Sequence, residues 1–258
     1  MIIADPNSSL IWIKYMTHHL MNADVDAARA IAKRALSAIG FREEDEKYNI
    51  WIALLNLEYK YGGKDSFEET FKRANAESKG KYIHINMAET CEHSGDTAGA
   101  EKIFERALKI KHYKKSKKIW IAYQQFRLRN NNEKGARELL SRSMQSLSKH
   151  KHIEVIIKFA LGEFDNGSAD RGRVLFEDLL STYPKRTDIW HVYLDREIKM
   201  NNHHQARQLF ERMTTLKTSM KNIKTIFKKY MEFEVTHGTA ESVQEVKQKA
   251  QSYVASLN

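Results

Sequence analysis

The sequence is poor in residues that interrupt helices and in residues that cross-link small domains. Among its 258 residues are two prolines, eleven glycines and a single cysteine, Cys91. One cysteine cannot form an internal disulfide, which excludes a disulfide-framed secreted domain and fits a reducing compartment. No apolar run reaches the roughly 18 residues that span a membrane, and the N-terminus lacks a signal-peptide layout. We therefore expect a soluble intracellular protein with no membrane partner.

Sequence motifs of common enzymes are also missing. The chain contains no GxxxxGK[ST], GxGxxG or GxSxG. Histidines lie close together at three places, His18-His19, His150 with His152, and His203-His204. These spacings do not put two ligands on one helical face, as a zinc-binding HExxH motif does. We predict no catalytic residue, no cofactor and no metal site, and we do not expect an enzyme.

A pattern that recurs every 31 to 39 residues dominates the chain. Its first column is bulky, with Trp12, Trp51, Tyr82, Trp120, Ile156, Trp190 and Phe227. Three residues later stand Tyr15, Leu54, Ile85, Tyr123, Phe159, Tyr193 and Tyr230. Seven residues after the first column stand His19, Glu58, Glu89, Arg127, Glu163, Glu197 and Glu234. Offsets of three and seven are about one and two helical turns, so the columns predict one buried helical face per repeat.

A second helix follows in each repeat. It has a column of small residues, Ala28, Ala100, Ala136, Gly172 and Ala206, and a column of arginines, Arg34, Arg73, Arg106, Arg142 and Arg212. Between the two helices stand Gly62, Gly167, Gly238, Asn131 and Asn201, with Gly95 two positions late. Glycine and asparagine tolerate the left-handed conformation that ends a helix, so we expect it at these positions.

The period predicts an all-α protein, an α-solenoid of about seven antiparallel helix pairs in a superhelix. We expect one solenoid domain over residues 1–258, with repeats at about 8–39, 43–78, 80–111, 115–147, 149–183, 185–217 and 219–257. A closed bundle of long helices would show heptads instead. Two separate domains would show a linker, and no Pro/Ser/Gly-rich stretch separates the repeats.

The recurring polar and aromatic columns favour structural roles. Because the Trp and Tyr residues recur at helix-face spacing, they indicate core packing and not an aromatic ligand site. The Glu column indicates hydrogen bonding between helices, with the Arg column as its partner. Paired catalytic carboxylates would occur once in the chain and not five times.

Positive charge is concentrated in the second half of the chain. Residues 1–108 carry a net charge of −3, and residues 109–258 carry +13. The basic residues between repeats are Lys109, Lys111, Lys114, Lys115, Lys117, Lys118, Lys149, Lys151, Lys185, Arg186, Lys217 and Lys221. Loops of a solenoid align along one edge, so these residues predict a basic stripe for RNA phosphates or another acidic partner. The alternative is an ordinary solvated loop surface. Among the aromatic residues, only Tyr113 lies obviously within the lysines, so base stacking is not expected.

The fourth and sixth repeats match a known repeat pattern most fully. Their matching residues are Trp120, Tyr123 and Ala136-Arg137, and Trp190, Tyr193, Glu197, Ala206-Arg207 and Phe210-Glu211-Arg212. This pattern resembles HAT (half-a-TPR) repeats, which are similar in fold to tetratricopeptide repeats. The resemblance implies a role in an RNA-processing assembly.

Longer segments carry a closer resemblance. They are FREEDEKYNIWIALLNLEYKYG at 41–62, HIEVIIKFALGEF at 152–164, RGRVLFEDLLSTYPKRTDIWHVYLDREIK at 171–199, and Val254-Ala255-Ser256-Leu257. They are similar to the C-terminal HAT domains of a nucleolar family of ribosome-biogenesis factors, ribosomal RNA processing protein five. The resemblance implies a nuclear, nucleolar location and a role in pre-rRNA processing and assembly of the small-subunit precursor.

The same resemblance suggests the partners of the chain. Preribosome assembly proteins are expected, with pre-rRNA bound directly or through the S1 domains that the family has and this chain lacks. We therefore predict a non-enzymatic scaffold that binds proteins. The alternative is a direct RNA-binding module that uses the basic edge between repeats.

Overall fold

The computed structural model describes residues 5–255, and all regular structure in this range is helical. The α-helices are α1 (Ser9–Met21), α2 (Val25–Ala38), α3 (Glu44–Tyr61), α4 (Lys64–Glu77), α5 (Gly80–His93), α6 (Thr97–Lys109), α7 (Lys111–Lys114), α8 (Lys117–Arg129), α9 (Glu133–Ser146), α10 (His152–Asn166), α11 (Ala169–Thr182), α12 (Thr187–Lys199), α13 (His203–Thr214), α14 (Met220–His237) and α15 (Ala240–Ala255). A single 3₁₀ turn covers Lys149–Lys151. None of these helices is long and apolar enough to cross a membrane.

Fourteen of the described helices form seven pairs, and α7 is a single extra turn in the connection from α6 to α8. Two or three residues join the helices of each pair, which makes the two helices antiparallel neighbours. The predicted fold class, an all-α α-solenoid built of about seven antiparallel pairs, is therefore confirmed. We call the first helix of a pair its A helix and the second its B helix.

The chain divides into two compact units between Lys149 and His150. The first unit holds the pairs α1/α2, α3/α4, α5/α6 and α8/α9, and the second holds α10/α11, α12/α13 and α14/α15. A single domain over residues 1–258 stays a prediction. Ser256 and Leu257, which end the last predicted repeat, lie outside the described residues.

The connections within pairs end the A helix in two ways. Each three-residue connection has one residue with positive φ, namely Ala23 (58°), Gly95 (80°), Asn131 (57°) and Asn201 (56°). The expectation of a left-handed residue was wrong for the glycines of the two-residue connections. Their φ angles are negative at Gly62 (−88°), Gly167 (−131°) and Gly238 (−107°).

Two of these glycines are needed for close approach and not for backbone freedom. A Cβ atom on Gly62 would lie 2.2 Å from the carboxylate of Glu58, and one on Gly238 would lie 2.1 Å from that of Glu234. Both distances are far below van der Waals contact. The short connection therefore leaves room for a glutamate carboxylate to fold back over the helix end.

The four tryptophans are core residues, and three of them also bond to the segment before their own helix. Trp12, Trp51, Trp120 and Trp190 are at most 3% exposed. Three indole N–H groups donate to the carbonyl six residues earlier: Trp12 to Pro6 (2.8 Å), Trp120 to Lys114 (2.8 Å) and Trp190 to Pro184 (2.9 Å). An indole buried in this way adds a large apolar area and satisfies its one donor.

Parallel ring stacking joins the B helix of one pair to the A helix of the next. The stacked rings are Phe104 on Tyr123 (4.8 Å between centroids), Phe176 on Tyr193 (4.8 Å) and Phe210 on Tyr230 (4.5 Å). Tyr15 was expected in the same buried column but is 36% exposed. The ring that would cover it belongs to a preceding B helix, and no helix of the described chain precedes α1.

The third repeat is shifted by two residues from the predicted register. Of the first-column candidates in α5, His84 is buried (1% exposed) while Tyr82 is only half-buried. Cys91, not Glu89, then occupies the position seven residues on, and it is 2% exposed. The Nδ1 atom of His84 lies 2.8 Å from the Gly80 carbonyl, and burial lowers the pKa of its imidazole. A histidine neutral at pH 7 thus replaces tryptophan in this repeat.

Buried glutamates of the A helices accept two hydrogen bonds from an arginine of the preceding B helix. We call each such pair a Glu–Arg clamp. The clamps are Arg29 to Glu58 (2.7 and 3.1 Å), Arg173 to Glu197 (2.8 and 3.1 Å) and Arg207 to Glu234 (2.8 and 3.2 Å). These glutamates are at most 3% exposed. A buried carboxylate requires such a partner, since leaving it unpaired costs several kcal/mol.

The clamp arginines follow the small residues of the B helices directly, so they are not the arginine column predicted to pair with the glutamates. That column forms a separate ladder between successive B helices. Its bonds join Arg106 to Glu68 (2.7 Å), Arg142 to Glu105 (2.8 and 2.9 Å) and Arg212 to Glu177 (2.8 and 2.8 Å).

Arg127, the predicted exception in the glutamate column, forms a clamp with reversed charge. Its guanidinium donates to Glu101 at 2.5 and 3.1 Å, and Glu101 stands where the other clamps have arginine. It also donates to the Gly135 carbonyl at 2.8 Å and lies over the Tyr123 ring, 4.4 Å from its centroid. The exception in the sequence is therefore compensated by its partner.

We predict that exchanging the two residues of this clamp restores most of the stability that either single change removes. Arg127→Glu should lower the free energy of unfolding by about 2 kcal/mol, because two carboxylates then face each other in a partly buried site. The double variant Glu101→Arg/Arg127→Glu should recover at least half of that loss. Urea denaturation of the four proteins measures the coupling. Additive losses in the double variant would contradict a pairwise clamp.

We also predict that the clamps make stability depend on acid. Burial opposes ionisation of Glu234, but hydrogen bonds from Arg207 and Ser242 outweigh it and lower its pKa from the ordinary 4.5. A lowered folded-state pKa stabilises the protein above the unfolded-state pKa, and this stabilisation is lost as pH falls through the folded-state value. Glu234→Gln should therefore cost about 2 kcal/mol at pH 7 and clearly less near pH 3. Urea denaturation at the two pH values tests this, and an equal cost at both would refute it.

Candidate nucleic-acid interface

The lysine-rich connection between α6 and α8 is a fixed part of the structure. Tyr113 in α7 is 8% exposed and its hydroxyl donates to the Asn75 side chain at 2.8 Å. The carbonyl of Lys114 accepts the Trp120 indole bond described above. The middle of the connection is therefore anchored at two adjacent residues, while the side chains of Lys109, Lys111, Lys114, Lys115 and Lys118 are exposed.

The aromatic residue at this surface is Tyr82, and not Tyr113 as the sequence suggested. The Nζ atoms of Lys81 and Lys118 each lie 4.7 Å from the centroid of the Tyr82 ring. Lys118 also donates a hydrogen bond to the Tyr82 hydroxyl. This bond, together with the charge of Lys81, lowers the pKa of Tyr82 from its ordinary 10.0. The start of α5 thus presents a half-buried ring between two ammonium groups.

Side-chain capping differs between the helix starts. In the first unit the B-helix starts of α2, α6 and α9 are capped by the side chains of Asp24, Asp96 and Asn132. The residues before α5 and α8, Lys79 and Ser116, make no such side-chain cap. Uncapped N–H groups at a helix N-terminus attract anions. The starts of α5 and α8 therefore have no capping side chain that would compete with an anion.

The second unit carries the rest of the predicted basic residues at its own A-helix starts. Lys151 is the N-terminal cap of α10, Lys185 and Arg186 are exposed just before α12, and Lys217 and Lys221 are exposed around the start of α14. Arg186 is held by Asp188 through two bonds of 2.8 and 2.7 Å. Lys149 ends the first unit and is exposed. A continuous stripe through both units stays a prediction.

The recurring columns do not line this surface. The carboxylates of Glu58, Glu163, Glu197 and Glu234 are buried. Burial raises the pKa of Glu58, but the hydrogen bond from Arg29 lowers it, and the resulting pKa is below the ordinary 4.5. The Glu58 carboxylate therefore stays ionised and paired with Arg29 at pH 7, which suits packing and not proton transfer. Among residues 5–255, no cluster of three metal-ligating side chains occurs.

Comparison with known proteins finds relatives over nearly the whole chain. The sequence profile of the Suppressor of forked protein (Suf) family matches residues 64–257. Over 254 residues, 98% of the chain, it is 42% identical to rRNA biogenesis protein rrp5 of Schizosaccharomyces pombe and 41% identical to Protein RRP5 homolog of Homo sapiens. It is also 24% identical, over 90% of its length, to Crooked neck-like protein 1 of Homo sapiens.

The chain is much shorter than these relatives. The matched region is 15% of the Schizosaccharomyces pombe protein, 14% of the human RRP5 homolog and 24% of Crooked neck-like protein 1. The similarity therefore concerns one region of each relative.

We predict that Lys118→Met raises the pKa of Tyr82 toward 10.0, because the hydrogen bond and the nearby ammonium charge are both lost. Titration of the Tyr82 Cζ resonance by ¹³C NMR measures the shift. Lys102→Met, which changes an exposed lysine of α6, is the matched control and should leave Tyr82 unchanged. Equal titration in wild type and Lys118→Met would show that the two side chains do not interact in solution.

Proposed function

Since the chain belongs to the Suppressor of forked (Suf) family, we propose that it is a non-enzymatic scaffold domain that acts in ribosome biogenesis. In this proposal it supports pre-rRNA processing and assembly of the small-subunit precursor by binding preribosome assembly proteins. Its place of action is the nucleus, within the nucleolus. The observation that carries the proposal is 42% identity over 98% of the chain to a protein named for rRNA biogenesis.

The use of the polar groups also favours a scaffold. The glutamates and arginines that recur from repeat to repeat are engaged in clamps and in the B-helix ladder. They position helices, and what remains for partners is the surface of the helices and connections. An array of this kind offers an extended binding surface without needing a catalytic pocket.

Direct RNA binding is the second candidate, and the Tyr82 site favours it. Lysines contact phosphates without reading sequence, and an aromatic ring accepts any base by stacking. Tyr82 between Lys81 and Lys118 offers both chemistries beside the uncapped start of α5. This candidate predicts binding of single-stranded RNA with strong salt dependence and little sequence preference.

We predict that the triple change of Lys109, Lys111 and Lys114 to Glu leaves the full-length protein in preribosomes, since the scaffold proposal places the essential contacts on protein partners. Affinity purification of preribosomes followed by immunoblotting measures retention. Lys14, Lys60 and Lys72, also exposed in the first unit, provide the matched control triple with the same change of charge.

RNA affinity of the same variants separates the two candidates. If the chain binds RNA through this edge, the first triple should weaken binding and reduce the slope of log affinity against log salt by about two, since three phosphate contacts are lost. The control triple should leave that slope nearly unchanged. Loss of preribosome retention together with loss of RNA affinity, in the first triple alone, would overturn the scaffold proposal in favour of RNA binding.

A further inference from the structure

The first unit contains one junction between helix pairs that lacks a clamp arginine. Of the five junctions inside the two units, four hold a guanidinium bound to a carboxylate, from Arg29, Arg127, Arg173 and Arg207. The fifth joins α3/α4 to α5/α6. In the described chain, its two clamp positions are occupied by Glu68 on α4 and Cys91 on α5.

The residues at this junction follow the reversed clamp of Glu101 and Arg127, except for the missing cation. Glu68 stands on the B helix where Glu101 stands, and Cys91 takes the place of Arg127. Gly99, eight residues after Cys91, corresponds to Gly135, whose carbonyl accepts from Arg127. The acceptors are therefore repeated without the donor they serve in the neighbouring junction.

A cavity of about 340 Å³ occupies the place of the missing side chain. The rings of Tyr59 and Phe67, 5.9 Å apart, form one wall, and Cys91 and Gly99 also line it. Phe67 stands where five other B helices have alanine or glycine. Burial, together with the neighbouring Cys91, raises the pKa of Tyr59 to about 12. Burial also raises the pKa of the Cys91 thiol, so both groups are neutral at pH 7.

Carboxylates outnumber ammonium groups around this cavity. Glu58, Glu68 and Asp96 line it, together with Lys64 and Lys102. Glu58 is already paired with Arg29, and Glu68 has an exposed pairing with Arg106. Both lysines are exposed at the surface. The aromatic wall and the partly exposed Glu68 resemble the surroundings of Arg127, which lies over Tyr123 and pairs with the partly exposed Glu101.

We propose that this cavity is a binding site for an arginine side chain presented by a protein partner. The guanidinium lies against the Tyr59 and Phe67 rings, as Arg127 lies over Tyr123, and donates to Glu68 and to the carbonyl at Gly99. The partner thereby supplies the cation that the other junctions carry themselves. This inference rests on the proposed scaffold function and specifies one chemical group of the partner.

Arginine fits this cavity better than lysine for a geometric reason. A guanidinium is planar, stacks on aromatic rings and donates in several directions at once, whereas an ammonium is a compact, strongly hydrated charge. The clamp arginines use both properties: Arg127 and Arg207 each lie over an aromatic ring while they hold a carboxylate.

The test is an NMR titration of the 258-residue chain with N-acetyl-arginine amide. Saturable changes of amide chemical shift should be confined to the end of α3, to α4, to the end of α5 and to the start of α6. N-acetyl-lysine amide should bind about fivefold more weakly, because it cannot stack and bond at once. Cys91→Arg, which supplies the guanidinium from within, should abolish these changes and raise the melting temperature. The proposal would be overturned if no localised change of chemical shift appears up to the solubility limit of N-acetyl-arginine amide.

A surface change keeps the test decisive if Cys91→Arg does not fold. Glu68→Lys should weaken arginine binding about fivefold, and Glu69→Lys, the same change on the neighbouring exposed residue, should have little effect. Equal effects of the two would refute the site. Retention of the protein in preribosomes is measured separately. If the protein is retained but does not bind arginine, the arginine site is refuted and the scaffold function stands. If it binds arginine but is not retained, the scaffold function is refuted and the arginine site stands.

Discussion

A buried arginine–glutamate pair between successive helix pairs is the interaction on which the rest of the structure depends. Apolar columns make neighbouring pairs associate, but they tolerate small slips along a helix. A clamp does not, because a slip would leave a carboxylate such as Glu197, which is fully buried, without its cation. The constraint reaches into the connections: Gly62 and Gly238 are small because a clamp carboxylate lies where their Cβ atoms would be.

The period and the buried faces could be predicted because they follow from helix geometry alone. The register of the third repeat could not, because Tyr82 resembles tryptophan more than His84 does. A buried histidine is acceptable only when its ring finds a partner, here the Gly80 carbonyl, and that partner is visible only in three dimensions. Gly95 indicated the correct register of the third repeat. It stands two positions late when the repeat is counted from Tyr82, and in the expected position when the repeat is counted from His84.

Other parts of the site depend on contacts between residues far apart in sequence. Tyr113 is buried because Asn75, on another helix pair, accepts its hydroxyl bond. Tyr82 lies at the surface between lysines from α5 and α8, so its surroundings are set by two helix pairs together. Tyr15 shows the converse, because the same residue type at the same position is 36% exposed in the first helix pair of the described chain. Composition cannot distinguish these cases.

Deviations from the repeat pattern fall into two physical classes. Arg127 breaks the glutamate column, yet Glu101 breaks the arginine position opposite, so the charges still cancel and the junction stays filled. Because the two changes compensate each other, packing alone explains them and no functional role is needed. Cys91 and Glu68 break the pattern without compensation and leave a cavity beside carboxylates and aromatic rings. The uncompensated break is therefore where a role in binding explains what packing does not.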